Sequence, residues 1–237
     1  MKNKIYLCFL LIFSLLCGSV LQYFNDAQFI GVGFEYNIIA LVFTVLGFVV
    51  LSVVVYKRDD CIYHPNNLIR LVRIKSRRTI YIFEIIKIFF LTLFSQTAIM
   101  LGIILTCLIS KQEISFKYVF LTFIFDFTVK FLLMIIQFDL ELSSHSDVSF
   151  VCICSLYTLL LFEGIAVYKY ITESPDVRYI KLYAIMNKVN IVNYSSYERV
   201  LKLSPVYPSL IIILLINIIV IAFSVKFVKK LNILTKE

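Results

Sequence analysis

Three charged side chains sit where charge is most costly, inside long apolar runs. Asp126 and Lys130 lie in KYVFLTFIFDFTVKFLLMIIQF, and Glu163 lies in VSFVCICSLYTLLLFEGIAVY. Asp126 and Lys130 are four residues apart with the acid first, the spacing at which a carboxylate and an ammonium meet on one helix face. Charges at membrane depth face a helix bundle or water. The pair is therefore either a self-neutralised structural contact or part of a substrate path, and Glu163 is a second candidate for such a path. Nucleophilic chemistry has one candidate, Cys61 with His64, close enough in sequence to touch but with no third group nearby to orient the imidazole. His64 and His145 lack metal-ligand company, so no metal site is expected. Cys8, Cys17, Cys107, Cys152 and Cys154 lie within apolar runs, where a thiol behaves as a small hydrophobe. No G-x-x-x-x-G-K-[ST] loop occurs, so the chain does not hydrolyse ATP by itself, and no catalytic residue is assigned.

A different kind of chemistry is concentrated in HPNNLIRLVRIKSRRTIY, His64 to Tyr81, where five basic residues fall between Arg70 and Arg78. His64–Pro65–Asn66–Asn67 supplies a helix breaker followed by a good N-cap. At 100° per residue Arg70, Arg73 and Arg77 share one face, while Leu68, Ile69, Leu71 and Val72 gather opposite. That pattern predicts a short amphipathic helix that must pack on something to persist. It also predicts that the helix continues through Thr79–Ile86 into the next apolar run, with Glu84 and Lys87 one turn apart. Either the arginines sit among anionic head groups or they dock a soluble partner.

The elements that position these residues follow from composition. The chain has 237 residues, 61% hydrophobic and 16% charged, with a formal charge of +8 and a mean hydropathy of +0.93. A soluble domain carries nearer a quarter charged residues, so this is expected to be an integral, all-α membrane protein. No stretch is long and polar enough for a nucleic-acid-binding module, and no nucleic-acid partner is expected. A hydrocarbon core needs about 20 apolar residues per helix. Six segments qualify: Ile5–Phe24, Tyr36–Tyr56, Lys87–Ile109, Lys117–Phe138, Val148–Tyr168 and Tyr207–Phe227. The first is longer than a signal-peptide core and lacks an A-x-A-like site, so it is read as a span. With both ends cytoplasmic, thirteen Lys and Arg fall on the inner side and eight on the outer, which favours an N-in, C-in orientation. The segment Asp139–Asp147 is then an inner loop without a basic residue.

Between the fifth and sixth spans, Ser174–Pro175–Asp176 reads as a helix start. A second short helix is expected from Ser196 to Leu203, before Pro205 and Pro208. Both look interfacial or partly re-entrant. Asn193–Tyr194–Ser195 matches a glycosylation acceptor, a pattern too short to carry weight. Ser95, Gln96, Thr97 and Asn217 are expected to hydrogen-bond between helices.

Six spans, a basic amphipathic helix between the second and third, and an extended outer segment between the fifth and sixth resemble an ABC-2 type transporter permease subunit over the whole chain. The stretch NLIRLVRIKSRRTIY is similar to the corresponding region of small permeases linked to bacteriocin or lantibiotic export and immunity. The resemblance implies one transmembrane permease domain over residues 1–237, multi-pass in a bacterial cell membrane. It makes Asn67–Arg78 a coupling helix, with Leu68, Arg70, Leu71, Arg73, Arg77 and Arg78 docking on a separate ATP-binding cassette ATPase. ATP and magnesium would bind that partner, with no cofactor on this chain. A second permease subunit, identical or not, would complete a path for a hydrophobic or amphipathic substrate such as a peptide. Two other readings stay open: a multi-span membrane peptidase acting through Cys61 and His64, and a non-transporting sensor or accessory subunit that docks through the same helix.

Overall fold

In the computed structural model the described residues are 2–24, 37–59, 77–112, 115–143, 146–173 and 180–228. Among them the chain is helical throughout, with no strand. Six helices are long and apolar enough to cross a membrane: α1 (Lys2–Phe24), α2 (Ile38–Asp59), α3 (Arg77–Ser110), α4 (Phe116–Ser143), α5 (Ser146–Glu173) and α8 (Val206–Val228). Between α5 and α8 lie α6 (Ile180–Val189), a 3-10 turn (Ile191–Ser195) and α7 (Tyr197–Leu203). Helices are what such apolar runs must form, because hydrocarbon offers backbone N–H and C=O groups no other partner. This makes the protein a multi-pass α-helical membrane protein. Six crossings would put Lys2 and Val228 on one side, called the terminal side below.

The most enclosed span is α4, and α8 is the least. α4 packs against α2, α3, α5, α8, the 3-10 turn and α7. Its buried faces carry Phe125, Val129, Leu132, Met134 and Ile135. α1 lies along α3 as the most extensive helix pair. That closeness depends on Gly18 and Gly102, because a methyl on Gly18 would overlap the Ile99 carbonyl and one on Gly102 the Leu15 carbonyl. Small residues at such crossings are how membrane helices reach dense packing without a hydrophobic drive between them.

Several boundaries differ from those expected. The third span begins at Tyr81 rather than Lys87, and α3 does run back to Arg77, with Glu84 and Lys87, expected one turn apart, forming an ion pair. Lys111 adopts a left-handed φ of 55°, and Gln112 N donates to Cys107 O at 3.0 Å, which ends α3. The expected loop Asp139–Asp147 is a correction: α4 continues to Ser143, and Gln137, Asp139 and Glu141 belong to its core-facing turns. Ser52 Oγ donates to Gln137 Oε1 at 2.6 Å, and Gln137 Nε2 donates to Glu141 Oε1 at 2.8 Å. Tyr81 OH donates to Asp139 Oδ1 at 2.8 Å, and Ser224 donates to the other carboxylate oxygen. Such contacts hold these polar groups inside the helix end, where a loop reading had put them in water.

Candidate functional site

α4 places Asp126 and Lys130 one turn apart, and Lys130 Nζ donates to Asp126 Oδ2 at 2.7 Å. Their side chains are 18% and 5% exposed, so the pair is embedded in the bundle. Asp126 is ten residues from the start of α4, about 15 Å along it. Around the pair, α1 contributes Cys17 and Leu21, α2 contributes Phe43, Thr44 and Gly47, and α3 contributes Ile99. Leu161 of α5 and Ser195 of the 3-10 turn complete a cavity of about 30 Å³.

The wall opposite the terminal side is the insert α6–3-10–α7, which folds back into the bundle. Asn190 caps the 3-10 turn by accepting from Val192 N at 3.0 Å. Its amide nitrogen donates to Leu160 O at 2.6 Å and to the Glu163 carboxylate. Asn193 is fully buried: Nδ2 donates to Asn187 O at 3.0 Å, and Oδ1 accepts from an Arg199 guanidinium nitrogen at 3.0 Å. Gly164 of α5 makes room for it, since a methyl there would overlap the Asn193 amide. Engaged at both ends and enclosed, Asn193 is not a glycosylation acceptor in this fold. Arg199 is also fully buried. Burial pushes its guanidinium down to about 10, with the charge of Glu198 opposing that fall. It therefore stays charged at neutral pH. Tyr194 OH donates to Lys188 O at 2.8 Å, and burial pushes this phenol up. Tyr197 packs its ring against Tyr118 and Phe125 of α4.

The structure thus brings Asp126 and Lys130 together and seats Ser195 over them, while Glu163 is tied to Asn190 in the wall of the insert rather than to the pair. Arg77 and Arg78 open α3. Leu68, Arg70, Leu71, Arg73, Cys61, His64 and His145 lie outside the described residues, as does the helix start at Ser174–Asp176. The second short helix runs Tyr197–Leu203 after Ser196 as N-cap, one residue from its expected start. Interhelical bonds form at Ser95, whose hydroxyl meets Ser14 at 2.9 Å, and at Asn217, which donates to Thr128 O at 3.2 Å. Thr97 instead bonds Phe94 O of its own helix, and Gln96 Nε2 is buried without a hydrogen-bond partner. Arg199, Asn190, Asn193 and Tyr157 were not anticipated as site residues. The Asn-rich run NKVNIVNYSS was the one available signal, since such residues close turns through local backbone bonds.

Chemically the site can hold charge, order polar groups at mid-bundle and link the insert to five spans. Among the described residues no group of three or more His, Cys, Asp or Glu could hold a metal ion. Cys17 Sγ reaches Phe43 O at 3.6 Å. The molecule is thereby defined as a six-span helical membrane protein with a buried ion pair beneath a folded-back insert. Comparison with known proteins brought no match, whether to a family model, a curated protein or a solved structure.

Proposed function

We propose that this chain is the membrane-spanning permease subunit of an ABC transporter, moving a hydrophobic or amphipathic substrate such as a peptide outward. The observation that carries the reading is α3: 34 residues, about 50 Å long, joined directly to the basic connection through Arg77 and Arg78. A helix that long transmits a push at its base to the whole bundle, including the glycine-tight contact with α1. The folded-back insert between the fifth and sixth spans supports the same layout. On this reading Leu68, Arg70, Leu71, Arg73, Arg77 and Arg78 dock a separate ATPase that binds ATP and magnesium, and a second permease subunit completes the path. Both chain ends and the basic connection lie in the cytoplasm of a bacterial cell, N-in and C-in. The protein itself is not an enzyme.

Co-expression with the ATPase encoded nearest its gene tests this. The detergent-extracted complex is expected to retain the ATPase and to hydrolyse ATP faster with substrate. Combined Arg70→Glu, Arg73→Glu and Arg77→Glu substitutions are expected to abolish retention while the protein still inserts. Retention by the triple variant equal to wild type refutes the docking role, and failure of wild type to retain any neighbouring ATPase refutes the reading as a whole.

A further inference from the structure

We infer that the chamber around Asp126 and Lys130 is a water-binding site, holding ordered water that links the ion pair to the spans around it. The inference rests on donor and acceptor counts and on size, and does not depend on the permease reading. An ammonium has three N–H donors. Lys130 gives one to Asp126, its hydrogen-bond partner among the described residues, and is 4% exposed. Two donors are left to face the chamber, and leaving buried charged donors unmet is expensive. The acceptors facing it are also incomplete. Thr44 spends its proton on Ala40 O at 2.9 Å and Ser195 spends its own on Val192 O at 2.8 Å, which leaves both oxygens with lone pairs only. Both line the chamber beside Lys130.

The guest must therefore accept from an ammonium and donate to hydroxyl and carboxylate oxygens. An anion would meet the Asp126 carboxylate and a cation the Lys130 ammonium, so the matched guest is neutral and amphoteric. At about 30 Å³ the chamber exceeds the 10–15 Å³ that a bound water needs, and water meets both demands. Water-mediated bonds of this kind are nearly as favourable as direct ones. Ser195 gives the chamber a wall made by the insert rather than by a span, so movement of the insert changes its hydration.

Two cysteines make the test internal. Cys17 is 1% and Cys107 4% exposed, and Cys17 alone lines the chamber. X-ray radiolysis in heavy-oxygen water, with a scavenger removing radicals born in bulk solvent, labels side chains beside bound water. Full-length protein in nanodiscs is expected to show Cys17 labelled at least five-fold more than Cys107. Gly47→Ala puts a methyl in the chamber 3.5 Å from Cys17 Sγ, an ordinary contact, and is expected to cut Cys17 labelling at least two-fold with Cys107 unchanged. Cys17 labelled no more than Cys107 in the wild type overturns the inference, even if the variant fails to fold. Unchanged Cys17 labelling in a folded Gly47→Ala protein overturns it as well.

Discussion

Replacing single glycines by alanine separates helix contacts set by backbone from those set by movable side chains. At Gly18 the added methyl would overlap the Ile99 carbonyl, and at Gly102 it would overlap the Leu15 carbonyl and crowd Ser19 N. Neither obstacle can rotate away, so α1 and α3 must part. Restoring an ordinary C···O contact of about 3.3 Å requires a shift on the order of 1 Å. A gap of that size forfeits a quarter to a half of each neighbouring van der Waals well. The Ser14–Ser95 bond at 2.9 Å and the Ser19–Gly102 bond at 3.4 Å lie on the same seam and stretch with it. Overpacking typically costs 1–3 kcal/mol, and a backbone obstacle belongs at the top of that range, so about 3 kcal/mol is expected for either variant. For a chain of this size that lowers Tm by about 6–12 °C. Gly164→Ala displaces the Asn193 side chain instead, and its expected cost is about 2 kcal/mol from the Asn187 and Arg199 bonds it disturbs. Gly47→Ala meets only Cys17 Sγ at 3.5 Å and is expected to change stability by less than about 0.5 kcal/mol. Thermal unfolding in one detergent ranks the four. If Gly18→Ala melts with the wild type, or Gly47→Ala melts as early as Gly102→Ala, the close crossing of α1 and α3 is refuted.

Lys130→Met leaves the Asp126 carboxylate buried without its ammonium and is expected to cost about 3–5 kcal/mol, while Asp126→Asn with Lys130→Met recovers most of it. Thermal unfolding reads the recovery, and transport by the folded double variant then decides between a structural pair and a substrate path. Asn193→Ala removes an acceptor of the Arg199 guanidinium and the bond to Asn187 O, and is expected to raise hydrogen exchange in α6 and α7, with the spans unaffected; protection as in the wild type would contradict the insert's geometry. Arg199 has a folded value lowered to about 10, so it is charged folded and unfolded at pH 6–9 and contributes no pH dependence there. Its burial penalty eases only as pH rises above 10. Tyr194 is raised, so its contribution is complete below its ordinary value and is lost only as pH climbs through the folded one. Exchange in the insert is thus expected to be level from pH 6 to 9 after correction for intrinsic chemistry, and a step inside that window would mean another group holds it. Gln137→Leu breaks bonds to both Ser52 and Glu141 and is expected to cost about 2–3 kcal/mol by the same melting assay.

The six spans were legible because a bilayer imposes length and apolarity on each helix independently, so local composition suffices. Their ends were less so. Charge after Phe138 reads as a loop when taken alone, yet Asp139 is held by Tyr81, 58 residues away, and by Ser224, 85 residues away. Tertiary partners at such separations leave no local trace. α7 was legible almost to the residue because Ser196 and Pro205 mark its limits through backbone chemistry. Arg199 on that helix was not, since a short helix bearing Glu198, Arg199 and Lys202 looks solvated. Instead Glu198 pairs with Lys202 at 3.0 Å, and Arg199 turns inward to Asn193. The Asp126–Lys130 contact was legible from spacing, but not what surrounds it.

Those surroundings change what the ion pair can mean. Both partners belong to α4, so their mutual bond joins no two helices, and a pair satisfied only by itself would be weak glue. Whatever cohesion it gives the bundle must pass through groups on other elements. Cys17 and Thr44 line the same chamber from α1 and α2, and Ser195 closes it from the insert. The bound water inferred above would supply the bonds from the pair to these groups. The structural and the path readings of Asp126 and Lys130 therefore share one requirement, a hydrated chamber. They part only on whether that water stays when the insert moves.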